Sequence, residues 1–219
     1  MKLRKTFFML LMLFSTSILF SQQNQLRMNM GIDFLNTPSL IDYINQSNFA
    51  SDGSQLPTFN TAVNFSGEYG RLLNENFQLS FELGYLLYSY NASNINGRYD
   101  ISYDIIMPSV LAFYVLRGNG YNFKFGGGTG FRFLSVDETL PASVRSDNYR
   151  STGFGILLRA EGNTLLSGNF FANIITDIRY DLNGEPTGDN GNLRNSVLNE
   201  NVNFNTLSVG IKLGVSYFF

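Results

Sequence analysis

From Leu26 to Phe34 every second residue is apolar (Leu26, Met28, Met30, Ile32, Phe34), and Arg27, Asn29, Gly31 and Asp33 stand between them. A period of two puts the first set on one face of a β-strand and the second set on the other. The alternation recurs along the chain. Val63, Phe65 and Tyr69 oppose Asn60, Asn64, Ser66 and Glu68, and the run Phe77, Leu79, Phe81, Leu83, Tyr85, Leu87 opposes Gln78, Ser80, Glu82 and Gly84. Phe123, Phe125, Phe131 and Phe133 oppose Lys124, Gly126, Gly128, Gly130 and Arg132, and Phe154, Ile156, Leu158 and Ala160 oppose Gly153, Gly155, Arg159 and Glu161. Phe170, Ala172, Ile174, Ile178 and Tyr180 oppose Asn173, Asp177, Arg179 and Asp181, and a last run from Leu207 to Phe219 opposes Ser208, Gly210, Lys212, Gly214 and Ser216. One further segment, Ile101 to Val115, is less regular: if Ser102 and Asp104 mark its inner face, then Ile106, Pro108, Val110 and Ala112 lie there too. Pro108 brings no ladder donor, which predicts a bulge or kink.

With this phasing the polar face carries Arg27, Asp33, Glu68, Glu82, Asp104, Lys124, Arg132, Arg159, Glu161, Asp177, Arg179, Asp181 and Lys212, and the apolar face carries no charge. A soluble sandwich would put its charges on the water side. A broad apolar face rich in Phe and Tyr, with the charges opposite, predicts an all-β chain: a transmembrane eight-stranded antiparallel up-and-down β-barrel with an oily exterior. A soluble lipocalin-like barrel is the alternative, because alternation alone does not say which face meets lipid. The gaps alternate in length. Long ones run about 35–58, 91–100, 135–150 and 183–201, and short ones 71–76, 117–121 and 162–168, the asymmetry of a membrane barrel with its termini at the short-turn end.

The N-terminus is ordered as an export signal: Lys2, Arg4 and Lys5, an apolar run from Phe7 to Phe20, then Ser21-Gln22-Gln23. The run is shorter than the roughly twenty residues that span a bilayer, so residues 1–21 are expected to be cleaved and 22–219 to form the barrel. The sequence has no Cys and no His. This excludes disulfides and thiolate chemistry and removes the commonest general base and zinc ligand. Lys+Arg 15 against Asp+Glu 17, with no basic run, predicts no nucleic-acid partner.

The chain ends Lys212-Leu-Gly214-Val-Ser-Tyr217-Phe-Phe219. Gly214, Tyr217 and the terminal Phe219 resemble the last-strand signal read by the barrel-assembly machinery. With the glycine-rich fifth segment and the proline-bearing fourth, the mature chain resembles the outer membrane protein β-barrel domain family, the small barrels that include OmpA-like, OmpX-like and OmpW-like proteins. Phe20-Ser21-Gln22 resembles the signal ends of exported Bacteroidota proteins. The resemblance implies an outer-membrane location, with lipid and the assembly machinery as partners, and no single activity.

Gly126-Gly127-Gly128-Thr129-Gly130 lacks the Lys and the helix of a phosphate loop; its inward glycines instead leave room for neighbours such as Tyr88 or Tyr114. Asp177 with Asp181, or Glu82 with Glu161, could form a hydrolytic dyad, but an interior of alternating charge more often forms a salt-bridge network. That network is expected to comprise Arg27, Glu68, Glu82, Lys124, Arg132, Arg159, Glu161, Asp177, Arg179 and Lys212. Neither a catalytic residue, a cofactor nor a metal site is expected. Pro38 to Phe49 has an amphipathic look and could form a short helix, on the barrel rim or as a partner-binding surface, and the polar stretch from Asn183 to Asn192 should be a mobile turn region. These features favour a non-enzymatic barrel, structural or accessory, that presents its loops to an envelope partner. A narrow pore, or an OmpW-like conduit served by an apolar inner face on strand four, is the alternative.

Overall fold

In a computed structural model, residues 24–47, 55–94, 97–141, 143 and 145–219 are described. The expected signal, residues 1–21, and Phe49 lie outside them. Eight strands run antiparallel in chain order: β1 (Asn24–Asn36), β2 (Asn60–Asn74), β3 (Phe77–Asn94), β4 (Gly97–Gly118), β5 (Tyr121–Thr139), β6 (Asp147–Ser167), β7 (Phe170–Leu182) and β8 (Thr206–Phe218). Each pairs with its sequence neighbour, and β8 pairs with β1 from Gln25↔Phe218 to Asn36↔Leu207, so the ring is closed. Closure leaves no edge and pairs every backbone group within the wall, as lipid requires. Among the described residues no helix is long and apolar enough to cross a membrane.

The exposed side chains form a belt: Leu26 to Phe34 on β1, Leu79 to Leu87 on β3, Ile106 to Leu116 on β4 and Phe123 to Phe133 on β5. β1, β7 and β8 have 13 residues each, whereas β3 to β6 have 18, 22, 19 and 21. Roughly 9–11 tilted residues cross a bilayer, so β3 to β6 rise beyond the belt as a wall on one side of the loop end. The expected gaps 91–100 and 135–150 are therefore mostly strand, continuing to Asn94 and Thr139 and resuming at Gly97 and Asp147. At the other end the hairpins are tight, with Gly120 and Gly168 at positive φ. The register shifts at Leu72/Asn74 and Leu165/Ser167, both at this turn end.

Strand β4 corrects the expected phase. Tyr85 pairs with Ile106 and Leu83 with Pro108, and residues directly opposite share a face, so Ile106, Pro108, Val110 and Ala112 point outward. Ser102 and Asp104 also lie on the outside, with Asp100, Asp137 and Arg150, beyond the loop-end edge of the belt. The outer surface is thus charged at its margin. The inner row of β4 is Tyr99, Ile101, Tyr103, Ile105, Met107, Ser109, Leu111, Phe113 and Val115. Alternation failed as a guide here because Tyr and Ile occupy both faces. The bulge expected at Pro108 is also absent: the β4–β5 register is the same at Ile106↔Phe133 and Ser109↔Gly130, so the missing donor is absorbed without an inserted residue.

The inward glycines of β5 let β4 approach. A Cβ on Gly126, Gly128 or Gly130 would run into the backbone carbonyl of Ala112, Val110 or Pro108 respectively. The side chains lying against them are Phe113, Leu111 and Ser109. Tyr114 points outward, and Tyr88 stacks on Tyr103 nearer the loop end with ring centroids 4.9 Å apart.

Candidate functional site

The interior is the site, and it has three zones. At the turn end, Arg27 bridges Glu68 and Glu161, while Lys124 pairs with Glu161 at 3.2 Å and donates to Gln25. At mid-depth Arg159 grips Glu82 through both terminal nitrogens, at 2.6 and 3.0 Å, and also reaches Glu68 at 3.3 Å and Asp177 at 3.1 Å. Lys212 donates to Asp177 at 2.9 Å. Gly210 keeps this crossing open, because a Cβ there would stand 2.6 Å from Asp177 Oδ1. Nearer the loop end Arg179 pairs with Asp33 at 2.9 Å and Asp181 at 2.6 Å, and Arg132 with Asp181 at 2.5 Å. Asn64 donates to Asp33 at 2.7 Å.

All ten residues of the expected network lie buried inside the ring, with Asp33 and Asp181 added and Asp104 removed to the outside. Without Asp104 the ion network has six acids and six bases and is neutral. Each charge has an opposite charge within salt-bridge distance. Charges taken out of water persist only with such partners. The two candidate dyads are absorbed in these pairings: Asp177 is shared by Arg159 and Lys212, and Asp181 by Arg132 and Arg179.

Above the ions the interior turns apolar and closes. Pro38 opens helix α1 (Pro38–Gln46) with its φ already helical. The preceding Thr37 hydroxyl shares a hydrogen bond with Thr206 at 2.8 Å, which ties the helix entry to β8. Leu40, Ile41, Tyr43 and Ile44 then face inward against Leu35, Ile101, Ile105, Leu134 and Val136, so α1 plugs the mouth with its apolar face and leaves Pro38 and Asp42 exposed. Each fully buried aliphatic side chain contributes about 1.5–3 kcal/mol relative to exposure. The fourth loop completes the plug. Thr187–Gly188 pairs with Gly191–Asn192 and extends β6, Arg194–Asn195 pairs with Glu200–Asn201, and Leu193, Val202 and Phe204 are buried beneath. In the stretch expected to be mobile, Asn183 and Pro186 are buried and 187–192 form a mostly exposed hairpin; the three apolar anchors lie just beyond it, where Phe204 meets Tyr103 edge-on at 5.4 Å.

Within the plug one carboxylate is buried away from any base. Glu138, on β5 beyond the belt, accepts from Tyr43 at 2.7 Å and Tyr99 at 2.9 Å. Burial pushes its carboxyl above the usual glutamate range and nearby Asp147 adds to this, while the two tyrosine hydrogen bonds pull the other way. Inward parity on β5, in step with Arg132, could have revealed Glu138; the alternation read from sequence stopped at Phe133. A raised folded-state value means that the stabilisation is full below the ordinary glutamate pKa of about 4.3 and is lost as pH rises through the folded value. Hydrogen exchange of the α1 amides should accelerate beyond its intrinsic pH dependence as pH rises above the ordinary glutamate range. Glu138→Gln, which retains an acceptor without the charge, should abolish that excess. An equal excess in the variant would remove Glu138 as its source.

Solved structures share this fold. Neisserial surface protein A aligns at 13% identity over 90% of this chain and 97% of its own, with a TM-score of 0.51. A major outer membrane protein from Thermus thermophilus aligns at 14% identity over 90% of this chain and 99% of its own, with a TM-score of 0.52. No protein-family model and no curated protein sequence matches the chain. At such identities the likeness is one of fold, and the fold is that of the small outer-membrane β-barrels.

Proposed function

We propose that this small barrel is a non-enzymatic, non-conducting protein of the bacterial outer membrane, structural or accessory in role, which presents its loop end to an envelope partner. The observation that carries the reading is closure from end to end: paired ions fill the membrane depth and α1 with the fourth loop fills the mouth. Eight strands leave an interior just wide enough for side chains, and here side chains occupy it. What remains for recognition is the raised wall of β3 to β6 and the packed loops. Every acid of the ion network is neutralised by a base, which favours a structural over a catalytic role. The conduit reading loses its support on β4, where the true inner row packs into two apolar clusters. A tagged copy at native level, captured from solubilised outer membranes, should bring down one stoichiometric envelope protein. Removing residues 93–98 of the β3–β4 connection, which spares the buried Tyr99, should release it. Capture of the barrel alone, after mild crosslinking as well, would contradict the accessory role.

Assembly belongs to the same proposal. Tyr217 and Phe219 lie on the outside of the closing seam. Phe219 exchanges backbone hydrogen bonds with Asn24 at 2.9 and 3.0 Å, and Tyr217 stacks between Phe219 and Phe170. Gly214 pairs with Asn29 on the same seam. We assign these three residues to recognition by the barrel-assembly machinery, with cleavage of residues 1–21 preceding it.

A further inference from the structure

A cleft of about 420 Å³ opens on the outer surface where β1, β7 and β8 leave the belt at the loop end. Its lower side is apolar, made by Tyr180 and Leu207, outward residues near the loop ends of their strands. A third apolar group comes from the fourth loop. Leu198 is 45% exposed beside Val197 at 65%, two adjacent apolar residues at the tip of a polar hairpin. Asn195 holds that tip, its side-chain oxygen accepting from the backbone N–H of both residues at 3.0 and 3.2 Å. Leu198 completes the apolar lining with Tyr180 and Leu207.

The upper side is polar and equally fixed. Ser39 Oγ accepts from the Asn203 backbone N–H at 3.1 Å, and Asn203 Oδ1 from Asn205 N–H at 3.2 Å. The amide side chains of Asn36, Asn203 and Asn205 and the carboxylates of Asp42 and Glu200 line this side, and no Lys or Arg does. Amides both donate and accept, and carboxylates accept; sugar hydroxyls do both. Two carboxylates without a cation repel phosphate or sulfate.

We propose that the cleft binds the uncharged, hydroxyl-rich saccharide of a glycolipid in the surrounding leaflet. The amides and carboxylates take the hydroxyls, and Tyr180, Leu198 and Leu207 take the lipid side. The proposal rests on the outer-membrane reading for its ligand, so folding into a bilayer is scored first, by heat-modifiable migration. A chain that fails this step overturns the membrane reading, and one that passes it tests the cleft alone. The folded mature protein, in phosphatidylcholine nanodiscs with equal minor amounts of monoglucosyl diacylglycerol and phosphatidylglycerol of the same acyl chains, is read by native mass spectrometry. The glucosyl lipid should be retained over phosphatidylglycerol by about fivefold. Asn36→Leu with Asp42→Leu, and separately Glu200→Lys from the fourth loop, should bring the ratio to parity, while Arg98→Met, away from the cleft, leaves it unchanged. Equal or preferred retention of phosphatidylglycerol, or a glucosyl preference that survives both cleft variants, would overturn the proposal. Displacement of the lipid by free methyl glucoside at about 10 mM would overturn the glycolipid assignment in favour of a soluble saccharide.

Discussion

Arg159→Met is expected to lower the unfolding free energy by about 3–5 kcal/mol, the range for removing one side of a buried ion pair. Arg159 is the hub of the interior: its side chain has no exposure, and it holds Glu82, Glu68 and Asp177 together. Without it Glu82 is left with no salt-bridge partner, and Glu68 and Asp177 depend on Arg27 and Lys212 alone. Adding Glu82→Gln should restore part of the loss, since a neutral amide in that place no longer needs a counter-charge. Arg98 supplies the control. Its pair with Asp100 is 65% and 39% exposed, and Arg98→Met should change stability by no more than about 1 kcal/mol. Urea titration of the protein folded in vesicles separates the two. Equal, small effects would mean that water reaches the ions and that the interior is not sealed.

The second large effect concerns the seam. Changing Tyr217 and Phe219 together to Ala should cut the amount of folded barrel in outer membranes severalfold while export continues, the missing protein appearing in the periplasm or as its degradation products. The pairing of β8 with β1 closes the ring, and the two aromatics sit at its turn end, with ring centroids 5.8 Å apart. Aromatic residues in this position form the interfacial girdle of a membrane barrel. Unchanged membrane levels would show that neither the girdle nor a terminal signal depends on them.

The wall of the barrel was legible in the sequence because each face faces one solvent. Along β1, β3 and β8 apolar lipid-facing and polar or small inward residues alternate except at Leu35, Leu86, Tyr88 and Phe218, and the phase of Arg159, Lys212 and their partners follows. β4 was misread for a physical reason: its inner row packs against glycines and the plug, so it too is apolar, and only pairing with β3 distinguishes the faces. The mouth was less legible. Nothing local to Leu40, Ile41 and Ile44 says whether an amphipathic helix lies in the barrel or on its rim, since both bury one face. In the fourth loop the polar majority concealed Leu193, Val202 and Phe204, isolated apolar residues in an asparagine-rich stretch, which is the signal of a loop that is pinned down. The ion partners were only partly legible. Lys212 takes Asp177 on the adjacent strand as its partner, a choice set by side-chain reach inside the ring and not by spacing along the chain.

Single-channel recording tests the sealed interior most directly. The purified mature barrel, shown by heat-modifiable migration to be folded, is inserted into planar bilayers in about 1 M salt, where the Debye length falls to about 3 Å and surface charge no longer gates entry. A closed interior predicts no stable conductance steps above the bilayer baseline, in wild type and in Glu138→Gln alike. Stable steps of porin size, with an ion selectivity that changes in Lys212→Met while that variant remains folded, would contradict the account and make the lumen a pore.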